Sequence, residues 1–389
     1  MRELGVIEKG ALLAIDGLIR AVGSREEVES QIPDDVTIVD AKGRIVLPGF
    51  VDAHTHLVFA GSRAEEFAMR AQGKTYEEIA QAGGGILSTM RKTREATKAM
   101  LIEESRRHLQ WMIAGGTTTA EVKSGYGLTI DDEMKMLEVV ASLSEVGPID
   151  LIPTALGAHA MPPEYASRPS IYIDKVAIPF LKIARERGNA EFADAFVEEG
   201  YFDEESLRPY FEAAQQLGLP LRLHVDQLRD GNGAVLAARW GAKTADHLEH
   251  SSAAGIEAMK ATGVTPVLLP GSVYGLGKSK YPGARLMIEK GLPVVIATDF
   301  NPGSSPTPSM SMILSLACTQ MKMTPAEAIT AATINAAYSL NRGHDRGSLE
   351  EGKRADFVLH DAEDWREVPY WFGRHTASKV FVQGKAIFG

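Results

Sequence analysis

The chain has 389 residues, 44% of them apolar and 24% charged, with a formal net charge of −10. That mixture excludes a disordered or fibrous chain and supplies enough apolar material for a large core. The acidic balance repels phosphate backbones and anionic headgroups, so neither nucleic acid nor a membrane surface is expected as a partner; a small-molecule substrate is.

The single cysteine, Cys318, lies in the apolar run SMILSLAC. It cannot form an internal disulfide and reads as a core residue. The opening MRELGVIEKG lacks the apolar stretch of a signal peptide, and no run approaches the roughly 18 apolar residues of a membrane span. A cytoplasmic location is the expectation.

In chain order, residues 11–15 and 18–22 flank Asp16-Gly17, a type I′ hairpin signal. The opening β strand reads as short or missing. Residues 37–39 and 44–47 flank a second turn at Lys42-Gly43. A different rhythm follows. Short β-rich runs at 49–54, 118–122, 151–155, 192–197, 220–224, 244–247, 265–269 and 293–298 alternate with helical stretches. Those are at 75–82, 88–113, 130–144, 171–186, 207–217, 231–240, 253–261 and 284–289. Eight such alternations predict an α/β protein with a (β/α)₈ TIM barrel. A doubly wound sheet would carry a glycine-rich phosphate turn after an early strand, and none is present. Further strands are read at 356–359 and, around a turn at Gly384, at 379–382 and 386–388. Chain ends tend to meet in compact proteins. Residues 1–48 and 346–389 are therefore expected to form one small β-sandwich domain beside a barrel at 49–345.

The histidines are placed more tellingly than they are numerous. His54 and His56 follow the first barrel strand two residues apart, so on extended backbone both face the same way. Alone, this spacing is a weak signal. His224 ends the fifth strand, His247 the sixth and Asp299 the eighth. Barrel enzymes keep their chemistry at these strand ends. Imidazoles with a carboxylate suit zinc or iron. His250 also follows the sixth strand, but His247 comes first after the apolar run. His108, His344, His360 and His375 read as surface residues.

On PGFVDAHTH at 48–56, LHVDQ at 223–227, ADHLEH at 245–250, ATDFNPG at 297–303 and the tail GSLEEGKRADFVL at 347–359, the chain resembles the amidohydrolase superfamily. The resemblance implies metal-dependent hydrolysis. Two-metal members bridge their ions with a carboxylated lysine on the fourth strand. FADAFVEE offers no lysine there, which implies a single ion, zinc or iron. The implied ligands are His54, His56, His224 and Asp299, with His247 beside the bound water.

Four loops narrow the resemblance: Phe59-Ala60-Gly61-Ser62-Arg63, Gly83-Gly84-Gly85-Ile86, Lys123-Ser124-Gly125-Tyr126-Gly127 and Leu156-Gly157-Ala158-His159-Ala160. They are similar to the loops of the imidazolonepropionase family. That implies opening of the cyclic amide of 4-imidazolone-5-propanoate in histidine degradation, giving N-formimidoyl-L-glutamate, by a homodimer. Arg63 would grip the carboxylate tail with two parallel hydrogen bonds. Tyr126, His159, Asn301, Gly303 and Ser304 would complete the substrate pocket. His247 and Asp299 would carry the catalytic proton. Gln227 stands where deaminases of the superfamily carry a glutamate. It can orient a ring nitrogen but cannot act as acid or base, which disfavours the alternative of a nucleobase deaminase.

Overall fold

In the computed structural model, residues 1–75, 78–79, 82–166 and 168–389 are described. The predicted barrel is present. Its eight strands are β4 (Phe50–Asp52), β5 (Thr117–Lys123), β6 (Asp150–Ala158), β7 (Phe192–Val197), β8 (Leu221–Val225), β9 (Thr244–His247), β10 (Thr265–Leu268) and β11 (Val295–Ile296). They run parallel in that order. The remaining gap, between β11 and β4, is closed by a bridge from Thr55 to Phe300 and by two backbone bonds. Asp299 N–H donates to His54 O at 3.0 Å, and His56 N–H to Phe300 O at 2.9 Å.

Two smaller sheets flank the barrel. β1 (Gly10–Ile15) and β2 (Leu18–Ser24) form a hairpin, and the φ values of Asp16 (51°) and Gly17 (79°) suit a type I′ turn. β3 (Ile45–Pro48) pairs with β12 (Phe357–His360), which pairs with β13 (Ala377–Val382), followed by β14 (Lys385–Phe388). The chain ends meet here as expected.

Apolar packing follows the strand period. Val51, Ile152, Phe192, Val267 and Val295, from five different barrel strands, cluster with Ala336, Ala337 and Leu340. The last three come from the helix Ile334–Ser339 and its C-cap, and that helix packs on β4 and β11. A larger core, with Tyr172, Phe180, Tyr210 and Phe211, joins strands to surrounding helices. Cys318 is half-buried against it, and burial pushes its thiol up to about 11, so it stays protonated at neutral pH. No helix among the described residues is long and apolar enough to cross a membrane.

Three expectations need correction and one cannot be judged. Residues 37–39 form no strand, and Ile38 is exposed without a ladder partner. The long helix read at 88–113 is two helices, Ile86–Glu95 and Lys98–Ala114. Thr97 is extended between them and its hydroxyl accepts from Met100 N–H, an N-cap that competes well with a helix-interior role. His108 and His360 are not surface residues. His108 is buried with Nδ1 3.2 Å from Leu57 O, and its ring stacks on Phe59. His360 is fully buried with Nδ1 2.9 Å from Thr376 Oγ1. The helix read at 75–82 lies partly outside the described residues.

Burial pushes His360 down to about 3. An unfolded imidazole takes up a proton near pH 6.5, whereas this folded one resists until about pH 3. Its contribution is therefore complete above pH 6.5 and is lost as pH falls through that window, by up to ~1.4 kcal/mol per unit. His360→Gln is expected to flatten the acid side of a Tm-versus-pH curve between pH 6.5 and 4. An unchanged slope would contradict this.

Candidate metal centre

The site is built where the first and last barrel strands meet. Asp52, buried at the end of β4, accepts from Thr298 N–H at 3.0 Å and from Thr298 Oγ1 at 2.6 Å. This tie aligns the segment 53–56 with the segment 297–299. His54 Nε2 then lies 3.6 Å, and His56 Nε2 3.5 Å, from Asp299 Oδ1. β8 brings His224 into the same space and β9 brings His247. Candidate ligand atoms of three overlapping trios each fall within 4.8 Å of one another: His54, His56 and Asp299; His54, His224 and His247; and His56, His159 and His224. All six residues are buried.

A second layer fixes how the imidazoles point. His54 Nδ1–H donates to Asp246 Oδ2 at 2.6 Å, and His224 Nδ1–H to Asp194 Oδ1 at 3.1 Å. Each ring thus turns Nε2 inward, and among the described residues both Nε2 atoms are buried without a hydrogen-bond partner. Buried polar atoms are rarely left so. A carboxylate on one ring nitrogen and a lone pair on the other is how a histidine holds a metal ion. The donor set fits one zinc or iron ion.

The electrostatics agree. Burial, and then the Lys123 ammonium and neighbouring imidazoles, hold His54 and His224 well below the usual imidazole range. Burial and the adjacent His159 and His224 do the same to His56. Neutral imidazole is the metal-binding form. Burial pushes the Asp299 carboxyl up to about 7, against the opposing pull of His247 and Asn301. A bound cation reverses that preference and favours the carboxylate. His247 differs from its neighbours. Burial disfavours its charge, but Glu249, with Oε1 3.3 Å from Nδ1, outweighs burial together with Asp299 and Asp246 and holds it above the ordinary value.

Backbone strain gathers here too. Asp226, His247, Leu248 and Asp299 all have positive φ, between 52° and 82°, which non-glycine residues seldom adopt. Such strain persists only where surrounding structure enforces it, and it clusters at functional sites. Asp226 shows the means: its carboxylate accepts from Gly233 and Ala234 N–H and from Ser251 Oγ, bracing the loop that follows His224.

The proposed substrate residues lie at different distances from this cluster. Tyr126 and His159 join the cluster: Tyr126 is buried 5.6 Å from His56, and His159 stacks on His56 at 5.0 Å, ring centre to ring centre. His159 Nδ1–H donates to Gly125 O at 2.9 Å, leaving Nε2 as an acceptor. Asn301, Gly303 and Ser304 form the loop after Asp299. Asn301 is occupied within it, accepting from Gly303 and Ser304 N–H at 2.8 Å each and donating to Asp299 O at 2.6 Å. Arg63 lies against Gly303, where any side chain would collide with the guanidinium. Its Nε and Nη2 both donate to Glu66 Oε2, at 2.9 and 2.6 Å. The other Glu66 oxygen accepts from Gly85 N–H. Gln227 is half-buried past the end of β8.

Sequence reasoning missed the residues behind the site: Asp194, Asp246, Glu249, Glu66 and the buried pair Lys123 and Arg222. Lys123 was visible only as the start of a loop motif. Burial works against its charge, yet Asp194 and Glu121 outweigh burial and keep it an ammonium.

Comparison with known proteins places this architecture. Residues 45–387 match the amidohydrolase family. The whole chain is 52% identical to the imidazolonepropionase of Solibacter usitatus (strain Ellin6076), covering 93% of that protein. It is 46% identical to the imidazolonepropionase of Geobacillus sp. (strain WCH70), covering 92%. Among solved structures, the 5-methylcytosine deaminase of Klebsiella pneumoniae superposes with a TM-score of 0.75 at 17% identity, over 97% of this chain and 94% of that one. The E. coli guanine deaminase superposes with a TM-score of 0.74 at 18% identity, over 97% and 92%. These two share the fold. The chain belongs to the imidazolonepropionase family of amidohydrolases.

Proposed function

We propose that the protein hydrolyses the cyclic amide C–N bond of 4-imidazolone-5-propanoate, giving N-formimidoyl-L-glutamate. The observation that carries this reading is the 42–52% identity, over the full chain, to eight proteins all named imidazolonepropionase. The same resemblance supports a cytoplasmic homodimer, which sedimentation would test.

In this reading His54, His56, His224 and Asp299 hold one zinc or iron ion, which when bound supplies Lewis-acid activation of water near neutral pH. Asp299 accepts the proton of the attacking water at its carboxylate. His247, oriented by Glu249, donates a hydrogen bond to the carbonyl oxygen as negative charge develops on it. Ring opening places that charge on the departing nitrogen, which takes a proton from Asp299 or His247. Gln227 orients a ring nitrogen, and His159 accepts or donates at the ring. Arg63 exchanges Glu66 for the substrate carboxylate and, with Tyr126, Asn301, Gly303 and Ser304, fixes the carbonyl in line for attack.

The direct test is incubation with freshly prepared 4-imidazolone-5-propanoate, following loss of ring absorbance. Stoichiometric N-formimidoyl-L-glutamate without ammonia supports the reading. Ammonia released from a nucleobase, with the imidazolone untouched, would overturn it in favour of a deaminase. The Arg63 role has its own check. Arg63→Ala is expected to raise KM about 10- to 100-fold, the worth of a charge-assisted pair of bonds, with kcat held within a few-fold. An unchanged KM would remove Arg63 from the pocket.

A further inference from the structure

Beneath the metal-facing imidazoles lies a layer of charge that the proposed chemistry does not use. Lys123, Glu121, Asp194, Arg222 and Asp246 are all fully buried. The strand period puts them there. Glu121 and Lys123 are two apart on β5, Arg222 is two before His224 on β8, and Asp194 and Asp246 sit on β7 and β9. Register sets Arg222 beside Asp194, and His224 beside Asp246.

Lys123 is the hub of this layer. Its Nζ lies 2.6 Å from Glu121 Oε1, 2.7 Å from Asp194 Oδ2 and 3.8 Å from Asp246 Oδ2. Asp194 and Asp246 are the same two carboxylates that fix the rings of His224 and His54. Arg222 completes the layer, 3.2 Å from Glu121 and 3.7 Å from Asp246, and is anchored on Ala53 O and Ser339 O. Two cations face three carboxylates. Buried charge of this kind is a poor source of stability compared with apolar packing of the same volume. The layer therefore calls for another explanation, and the two histidines it supports provide one.

We propose that Lys123 is a positioning residue of the metal centre, a single ammonium that clamps both histidine-orienting carboxylates so that His54 and His224 present Nε2 to the ion together. The proposal rests on the metal site described above. Lys123 touches neither the ion nor the substrate; it acts through Asp194 and Asp246.

The test is zinc titration of metal-free protein against a chromophoric chelator, with Tm measured in parallel. Wild type is expected to bind one zinc per chain. Lys123→Met is expected to weaken zinc binding about 10- to 100-fold, as losses of outer supporting contacts do. Because Lys123→Met leaves Arg222 as the one cation facing three buried carboxylates in this layer, the double variant Lys123→Met/Glu121→Gln decides the matter if the single one fails to fold. It removes one charge of each sign, so the layer keeps its net charge while losing the clamp. It is expected to show the same weakening. A folded double variant with wild-type zinc affinity, its Tm alone lowered, would reduce Lys123 to a structural role and overturn the proposal. Wild-type protein that binds neither zinc nor iron would instead sink the metal reading itself, so the two failures are distinguishable.

Discussion

His54→Ala is expected to yield a folded barrel that holds no metal and retains less than about 10⁻⁴ of the wild-type kcat/KM. His54 belongs to two of the three ligand trios, sharing one with His56 and Asp299 and the other with His224 and His247. Its loss opens both at once. The proposed hydrolysis needs water made reactive at neutral pH, which the ion would supply. The substitution also strips Asp246 of its 2.6 Å hydrogen bond, though Lys123 and Arg222 remain near that carboxylate and limit the damage to stability. Metal content by mass spectrometry, with circular dichroism to confirm folding, accompanies the rate measurement. A metal-free variant retaining a tenth of the rate would contradict the account.

The second large effect is at Asp299. Asp299→Asn is expected to lower kcat by about 10²–10⁴-fold at saturating zinc, with KM changed only a few-fold. The amide is nearly the same shape. The backbone bonds that set the residue in place, to His54 O and from the Asn301 side chain, do not involve the carboxylate. What is lost is the charge of a metal ligand, which saturating zinc offsets, and an oxygen that can take and return a proton. A kcat within tenfold of wild type would transfer the proton role to His247.

The barrel was legible because each strand is a short apolar run followed by a helical stretch, and parallel strands buried on both faces read that way. The candidate ligands stood out because they lie at strand ends, where barrel topology gathers side chains distant in sequence. The supporting layer was not. TAEVK, FADAFV, LRLHV and TADH set charged residues among the apolar ones, and a charged position in a strand reads as facing water. Only closure of the barrel turns that second face inward and makes Glu121, Lys123, Asp194, Arg222 and Asp246 neighbours. The burial of His108 and His360 was hidden for a similar reason. Their partners, Leu57 O and Thr376 Oγ1, come from other elements. Arg63 stood out by its loop motif, but its engagement with Glu66 depends on the helix Ala64–Ala71 starting directly after it, which sets Glu66 within reach three residues on.

The central claim is the convergence of His54, His56, His224 and Asp299 on one ion. Diffraction from zinc-loaded crystals at the zinc absorption edge tests it directly. A single anomalous peak per chain is expected, with three imidazole nitrogens and an Asp299 oxygen about 2.0–2.2 Å away. Two peaks in this pocket, or one peak held by other residues, would contradict it.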